Sequence, residues 1–369
     1  SIRVVAETTK LTLDDVIILS QYGYDLSWSD FENYDYIETG SGLYIRVYVI
    51  NEMYELWIGG GSPDSDPMYI YLALADDLDT RIDIRDGGVT DFIGADHSSV
   101  LLSKAINEAI LTENKPSKPD GLYHCASFVL LDQKELSGTP TVDSSDHTQM
   151  VTVYGLALHQ GFGYSGGTFH DVSGSHIPVA ITFEIVGGKY VLKEYWTPRD
   201  GSYYVQDVRD KFPDEVEDEA LDTQKYILAQ KQTCYDQGVR YGGVDTYSAV
   251  EHLFEVIESS PATSSRPADY IDAHSIEYRE LMYYGDYTLQ YIFSKFHLEG
   301  NQTGLRGQLM RIALDDLAPE AQLRLHAETG QAYFDEWRAG AIRVSEQHDM
   351  DWIKANQPAI WLLLQMIDE

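Results

Sequence analysis

Short runs of alternating apolar and polar residues dominate the first hundred positions. Aliphatic side chains recur at every second position over 43–49, at 56–58 and over 68–74, which is the period of a strand with one buried face. Ahead of these runs, residues 11–20 have apolar residues at helical spacing. Thr12 is placed to cap that helix, and two aspartates lie in its first turn. Residues 1–96 are therefore predicted to form a helix and an antiparallel meander.

A second block repeats this order. Helical spacing over 98–111 predicts a helix that ends before Pro116. Four strands are predicted after it, at 123–131, 150–160, 177–185 and 190–196. Gly187 and Gly188 suit a tight hairpin between the last two strands, and the polar segment 137–147 is predicted to be an exposed loop. Residues 97–213 thus form a second predicted helix-plus-sheet unit.

From Glu217 onward the apolar period changes from two to 3.6 residues. Helices are predicted at 218–237, 246–258, 276–296, 303–317 and 359–368, with a loop over 259–267. The acidic run at 214–219 is either a hinge or the charged first turn of a helix. The predicted fold class is α+β: two successive helix-plus-antiparallel-sheet units, then an all-helical C-terminal segment over 214–369.

Charge narrows the range of partners. The 369 residues include 60 carboxylates and 26 lysines and arginines, for a formal net charge of -34. Such a charge repels phosphate backbones and anionic headgroups, so neither nucleic acid nor a membrane surface is an expected partner. No stretch reaches the ~20 apolar residues that cross a bilayer. Because the chain starts at Ser1 and not at Met, we expect an export signal or anchor upstream, and membrane contact only through that segment.

Two cysteines, Cys125 and Cys234, are too few for a disulfide framework and lack the spacing of a metal site. We expect both to be buried as small hydrophobic residues, with no bridge needed. Acidic turns at 64–66 and 76–86 lack the order of a calcium loop. The prediction is accordingly no metal site and no cofactor.

Several catalytic motifs are missing from the sequence: there is no HExxH, Walker loop or SxxK. Residues 163–167 match GxSxG around Ser165, but a nucleophile elbow requires a helix to follow, and glycines follow here. Residues 161–176 are therefore interpreted as a glycine-rich loop. His170 and His176, six residues apart, match no metal-ligand pattern and are expected to stabilise that loop or lie on the surface. No catalytic residue is predicted.

Tyrosine is unusually abundant, with 27 residues in several clusters. A tyrosine presents a flat surface and a hydroxyl at a low entropic cost, which suits the binding of a glycan or a peptide. If the glycine-rich segment and the segment after the fourth strand leave one sheet side by side, a binding rim results. The predicted rim consists of Tyr164, His170, His176, Trp196, Tyr203 and Tyr204. The alternative is that these aromatics close the sheet against the C-terminal helices.

Several local strings resemble a known family. They are Leu-Thr-Leu-Asp-Asp-Val-Ile at 11–17, Trp-Ser-Asp-Phe at 28–31, Gly-Ser-Gly-Leu-Tyr-Ile-Arg at 40–46, the stretch 163–181, Tyr-Trp-Thr-Pro-Arg-Asp-Gly-Ser-Tyr-Tyr at 195–204, and Ala-Leu-Asp-Thr-Gln-Lys-Tyr-Ile at 220–227. Together they resemble an extracellular region of unassigned activity that lies behind membrane-embedded antirepressor-type zinc metalloproteases of Gram-positive gut anaerobes. The resemblance covers most of the chain, but the given sequence does not include the protease helices or their zinc motif.

What the resemblance implies is a sensory or regulatory module outside the cytoplasm, extracellular or on the cell surface. Sensors of that group that react with β-lactams acylate the serine of SxxK, and this chain has no SxxK, so covalent β-lactam sensing is not expected. We therefore expect a ligand-binding module without catalysis. The alternative is an exported hydrolase that uses residues 163–176.

Overall fold

The computed structural model describes residues 9–39, 44–51, 53–75, 77–137, 149–165, 167–261, 264–321 and 327–367. The chain divides into two compact units whose segments interleave along the sequence. The first comprises residues 1–108, 137–150 and 183–193, and the second comprises 109–136, 151–182 and 194–369. The predicted block 97–213 is thus shared between them. Apart from Ser137, the predicted loop over 137–147 lies outside the described residues.

The first unit begins with the predicted capped helix. Helix α1 spans Leu13–Ser20, and a reciprocal pair of hydrogen bonds between Thr12 and Asp15 forms a capping box, which satisfies two otherwise unpaired backbone N–H groups. A five-stranded antiparallel meander follows, in the order β1 Ile37–Thr39, β2 Tyr44–Val49, β3 Tyr54–Gly60, β4 Tyr69–Leu74 and β5 Asp77–Asp83. Helices α2 (Val89–Gly94) and α3 (Ser98–Glu113) come next.

One face of this sheet forms the core of the first unit. Leu56, Ile58, Ile70 and Leu72 are fully buried, and they cluster with Val16 of α1 and with other residues ahead of the sheet and after it. Because side chains alternate along a strand, the residues between them lie on the opposite face. That second face has a composition of its own, described below.

The second sheet has four strands in the order β6 Tyr123–Ser137, β7 Gln149–Ser165, β8 Thr168–Val186 and β9 Lys189–Trp196. All four lie where strands were predicted; β7 and β8 are longer than predicted at both ends, β6 only at its C-terminal end and β9 only at its N-terminal end. Gly187 and Gly188 have positive φ values of 58° and 83°, so the predicted tight hairpin is confirmed; glycine adopts these angles without a Cβ penalty.

The prediction of a glycine-rich loop over 161–176 is wrong, because β7 and β8 both run through it and turn at Gly167. Here glycine marks close approach of neighbouring strands. A Cβ on Gly161 would lie 2.7 Å from Ser173 Oγ, and a Cβ on Gly174 would lie 2.8 Å from the His159 carbonyl oxygen. Composition alone does not distinguish this use of glycine in strands from its use in turns.

A run of helices completes the chain after β9. Their bounds are α4 Tyr204–Lys211, α5 Glu217–Leu221, α6 Ile227–Gly242, α7 Thr246–Glu258, α8 Pro267–Ala273, α9 Ser275–Tyr284, α10 Asp286–Ser294, α11 Leu305–Leu317, α12 Gly330–Ser345, α13 Met350–Asn356 and α14 Pro358–Ile367. With two antiparallel sheets before these helices, the α+β class is confirmed.

Two predicted helices are each divided in the structure. Residues 276–296 form α9 and α10, which are separated at Gly285, where φ is 52° and ψ is -114°; only glycine adopts such angles readily. Residues 218–237 form α5 and the first part of α6. The acidic run places Glu217, Asp218 and Glu219 in the first turn of α5, where carboxylates favour the positive end of the helix dipole.

Strands and helices share the core of the second unit. Cys125, Leu158, Phe162 and Phe169 of the sheet cluster with Cys234, Tyr235 and Val239 of α6 and with residues of later helices. The rings of Phe162 and Tyr235 meet edge to face, with centroids 5.3 Å apart. Helix α6 therefore packs directly on the second sheet.

Candidate functional site

Three of the six predicted rim residues lie together where β9 ends. Strand β9 finishes at Trp196, a 3-10 turn spans Gly201–Tyr203, and α4 starts at Tyr204. A concavity of about 360 Å³ opens here, lined by Trp196, Thr197, Arg199, Asp207, Asp210 and Lys211. We call it the α4 concavity. It combines aromatic area with charged groups of both signs.

A fixed ion pair crosses the α4 concavity. Arg199 Nε donates to Asp207 Oδ2 at 2.8 Å and Arg199 Nη2 donates to Oδ1 at 2.6 Å, while the Arg199 backbone N–H also donates to Oδ2, at 2.9 Å. These hydrogen bonds lower the pKa of Asp207 to about 2, since each favours the ionised carboxylate. The guanidinium carbon lies 4.3 Å from the centroid of the Tyr203 ring, a cation–π contact that holds an otherwise exposed ring.

The floor of the α4 concavity is apolar. Trp196 and Tyr204 pack on the small cluster of Val208, Phe212 and Ala220, and the rings of Trp196 and Phe212 meet edge to face at 6.1 Å. Burial raises the pKa of Tyr204. Tyr203 differs, because 57% of its surface is exposed. Tyr204 thus supports the site from behind, Trp196 lines it, and Tyr203, next to the lining residue Arg199, is the most exposed of the three rings.

Tyr164 and His170 lie on the β7–β8 hairpin. The Tyr164 hydroxyl donates to the Gly238 carbonyl oxygen of α6 at 2.5 Å, and its ring packs against the core of the second unit. His170 is exposed, and a Cβ on Gly163 of the neighbouring strand would lie 3.1 Å from its ring. Tyr164 therefore holds the hairpin on α6. This agrees with the alternative given above, in which such aromatic residues close the sheet against the C-terminal helices.

His176 joins β8 to α6. Its Nε2 lies 2.8 Å from Gln230 Oε1, and Gln230 Nε2 donates to the carbonyl oxygens of Ser127 and Leu156. Burial lowers the pKa of His176, because a charged imidazolium is disfavoured away from water. Among the predicted rim residues, the structure brings together Trp196, Tyr203 and Tyr204, whereas Tyr164 and His176 each contact α6.

Ser165, the serine of the GxSxG match, is the last residue of β7, and β8 begins at Thr168. The surrounding order is therefore strand, turn, strand. A nucleophile elbow needs a helix on the far side of the serine to present its hydroxyl above a sheet, so Ser165 lacks that support.

The described residues contain neither a metal-binding cluster nor a membrane-spanning helix. Within the ranges given above, no group of three or more histidines, cysteines or carboxylates is arranged to hold a metal ion. Among the same residues, no helix is both long and apolar enough to cross a membrane.

Sequence reasoning missed the charged half of the α4 concavity. Arg199, Asp207, Asp210 and Lys211 line it, yet none was singled out, because only the turn over 201–203 brings Arg199 to Asp207. The available signal was Arg199 and Asp200, three and four residues after Trp196 and just before the paired Tyr203 and Tyr204. Comparison with known protein families, characterised proteins and solved structures finds no significant match for this chain.

Proposed function

We propose that this protein is a sensory or regulatory ligand-binding module that acts outside the cytoplasm without catalysis, and that the α4 concavity holds its ligand, a glycan or a peptide. The observation that carries the proposal is the exposed Tyr203 ring held on the Arg199–Asp207 pair. A fixed aromatic ring beside fixed charges provides contact area at little entropic cost. Asp210 and Lys211 add an acceptor and a donor.

The net charge supports an uncharged or cationic ligand. At -34, the chain repels polyanions over distances of about 8 Å at physiological salt. Within the concavity, Arg199 forms an ion pair with Asp207, and Lys211 forms one with Glu194 at 3.2 Å. Both cations of the concavity therefore already have an anionic partner. A ligand whose hydroxyls or amides both donate and accept hydrogen bonds suits this balance.

A binding screen tests the proposal. Neutral oligosaccharides and short peptides of mixed sequence would be screened against the wild-type chain by saturation-transfer NMR. For a compound that binds, we expect Tyr203→Ala to weaken binding about tenfold, because an exposed stacking surface is lost. The matched control is Tyr22→Ala, which removes a tyrosine of similar exposure, 61% against 57%, that does not line the concavity. Equal affinity of wild type and Tyr203→Ala would refute the site.

Catalysis and location need separate measurements. A fluorophosphonate probe should leave Ser165 unlabelled, whereas covalent labelling that disappears in Ser165→Ala would favour the exported hydrolase. For location, the natural gene product would be expressed in intact Gram-positive cells and treated with a membrane-impermeant biotin reagent. We expect labelling of this region without lysis; labelling only after lysis would contradict an extracytoplasmic role.

A further inference from the structure

The first sheet has an unusual outer face. Its register aligns Ile37, Val47, Trp57 and Tyr71 in one row across four strands. Asp83 of β5 extends this row, and neighbouring rows on the same face contain Thr39, Ile45, Gly59 and Tyr69 on one side, and Val49, Glu55, Ala73 and Arg81 on the other. We call these residues the outer face. With strands about 4.8 Å apart, it extends for about 19 Å across the sheet.

Its composition differs from that of an ordinary solvent-facing sheet surface. An antiparallel sheet with one buried face usually presents polar side chains on the other. Here aliphatic and aromatic residues prevail, and none of them belongs to the core cluster on the inner face. Ile37 is 61% exposed and Val49 is 42% exposed. Val47 and Ala73 on the same face are buried, and Ile45, Trp57, Tyr69 and Tyr71 are partly exposed. A partly exposed apolar face of this kind marks a binding surface more often than chance.

The aromatic residues of the outer face are held in place. Tyr69 lies over Gly59 of the neighbouring strand so closely that a Cβ there would be 2.1 Å from the ring. Tyr69 and Tyr71 stack with centroids 4.6 Å apart, and the Arg81 guanidinium lies 4.7 Å from the Tyr71 centroid. Trp57 Nε1 donates to Glu55 Oε2 at 3.0 Å. These contacts fix the rings before any ligand arrives.

A trough of about 400 Å³ runs over these rings, lined by Trp57, Tyr69, Tyr71, Ala73, Leu78 and Arg81. That volume is in the range of small-ligand sites. The polar groups that line it are few: Arg81 donates, and the tyrosine hydroxyls donate and accept. Glu55, which accepts from Trp57, lies next to the lining and adds an acceptor. The trough thus offers ring faces at its base and scattered hydrogen-bonding groups around them.

We propose that the outer face is a second binding site, distinct from the α4 concavity, and that it takes a neutral oligosaccharide. The C–H bonds of a pyranose ring match the negative face of an aromatic ring, and its hydroxyls both donate to Glu55 and accept from Arg81. Polyanions are disfavoured by the net charge of -34. The same charge makes a second copy of this chain a poor occupant, because two such copies repel each other.

The test uses the full chain and a panel of neutral hexasaccharides with glucose, xylose, mannose or N-acetylglucosamine units, measured by isothermal titration calorimetry. We expect at least one to bind, and Trp57→Ala to weaken that binding about tenfold. Gly59→Ala should weaken it as well, since the new Cβ displaces Tyr69. Near-ultraviolet circular dichroism of each variant would show that the fold persists. Tyr22→Ala is the control in the same unit.

The outcomes separate this site from the α4 concavity. Binding lost in Trp57→Ala and Gly59→Ala but kept in Tyr203→Ala supports the outer face. Binding lost only in Tyr203→Ala overturns the outer face and leaves the α4 concavity standing. The inference also fails if no hexasaccharide binds, or if sedimentation shows a dimer that Trp57→Ala dissociates, since the outer face would then contact a second copy.

Discussion

Tyrosine hydroxyls compensate for a shortage of basic residues. With 60 carboxylates and 26 lysines and arginines, most acidic groups have no cation to pair with. In the second unit, phenol groups donate to several of them, including Tyr291 to Glu251 and Tyr278 to Asp316, at 2.7 and 2.6 Å. A hydrogen bond to a charged group is stronger than one between neutral groups. Many of the 27 tyrosines therefore have a structural role.

The Glu251 cluster should make folding sensitive to acid. Partial burial alone would raise the pKa of Glu251, but hydrogen bonds from Arg306, Tyr291 and Lys295 lower it to about 2. Because the folded pKa lies below the unfolded value, the ionised form stabilises the fold above pH ~4.5, and this contribution is lost as the pH falls towards 2. Allowing for solvent screening, we expect a loss of about 1–2 kcal/mol.

Urea unfolding at pH 7 and pH 3 measures this effect. Glu251→Gln should be less stable than wild type at pH 7, and the difference should narrow at pH 3 without vanishing, because the folded carboxylate is protonated only towards pH 2. Glu255→Gln is the control on the same helix, because the Glu255 side chain is 62% exposed. If Glu251→Gln left the difference between the two pH values unchanged, the acid sensitivity would have to come from other carboxylates.

Cys125 and Cys234 are both buried and unbridged. A hydrogen bond with Cys234, together with burial, raises the pKa of the Cys125 thiol, and a thiol that stays protonated is a poor nucleophile. In the folded chain we expect neither cysteine to react with a disulfide reagent such as DTNB at pH 8, and both to react in urea. A melting temperature that fell by several degrees on addition of a reductant would show that a bridge does contribute.

At the scale of the elements, the β7–β8 hairpin packs closely on α6 because α6 has glycines where the aromatic rings of the hairpin contact it. Gly242 is the last residue of α6, and a Cβ added to it would lie 2.2 Å from the Tyr164 ring. A Cβ added to Gly238 would lie 3.1 Å from the Phe169 ring. Because these two positions of α6 have no side chain, the aromatic rings of the hairpin reach the helix backbone. There the Tyr164 hydroxyl donates to the Gly238 carbonyl oxygen. The helix and hairpin thus pack as one layer on another.

Gly242→Ala should destabilise the protein. The new methyl group must displace Tyr164, and overpacking of this kind costs about 1–3 kcal/mol, measured as the free energy of unfolding in urea. Gly94→Ala is a matched control, because Gly94 also ends a helix and a Cβ there would meet nothing within 4 Å. If both substitutions had the same small effect, Tyr164 would not be packed as described. In Tyr164→Ala, the cost of Gly242→Ala should shrink.

At the scale of the whole molecule, the second unit draws its core from distant parts of the sequence. Its strands contribute Cys125, Phe162 and Phe169 to the cluster that α6 completes. The period change near Glu217 suggests that the helices form a separable layer, yet their buried faces need the sheet. A change in secondary structure along the chain need not coincide with a boundary between packed units.

Expression of fragments tests this dependence. Residues 214–369 alone would expose the apolar face of α6, so we expect a helical but loosely packed fragment that binds the dye ANS and lacks a near-ultraviolet circular dichroism signal. Residues 109–369, which include the whole second unit, should unfold cooperatively. A cooperative transition in 214–369 would show that the helices are an independent domain. In the intact chain, limited proteolysis should spare 177–196, which lies almost wholly in β8 and β9.

The sequence by itself determined many of the segments that become helices and strands, the α+β class and the cap at Thr12, whereas helices α2, α4, α8, α12 and α13 and the strands within 161–176 were not predicted. The predicted features depend on residues two to four positions apart, so a single sequence contains their signal. It also located the aromatic cluster at 195–204 that lies beside the α4 concavity.

Only the tertiary structure decided which faces and pairs result. In β2, the alternating aliphatic residues Ile45, Val47 and Val49 predict that their face of the strand packs on the core. The structure places them on the outer face, while Arg46 and Tyr48 lie on the inner one, with Arg46 stacked 4.5 Å from Tyr36. Likewise, Arg199 meets Asp207 only across a turn, and the glycines of 161–176 serve strand contacts. Such choices depend on partners distant in sequence, which no local period encodes.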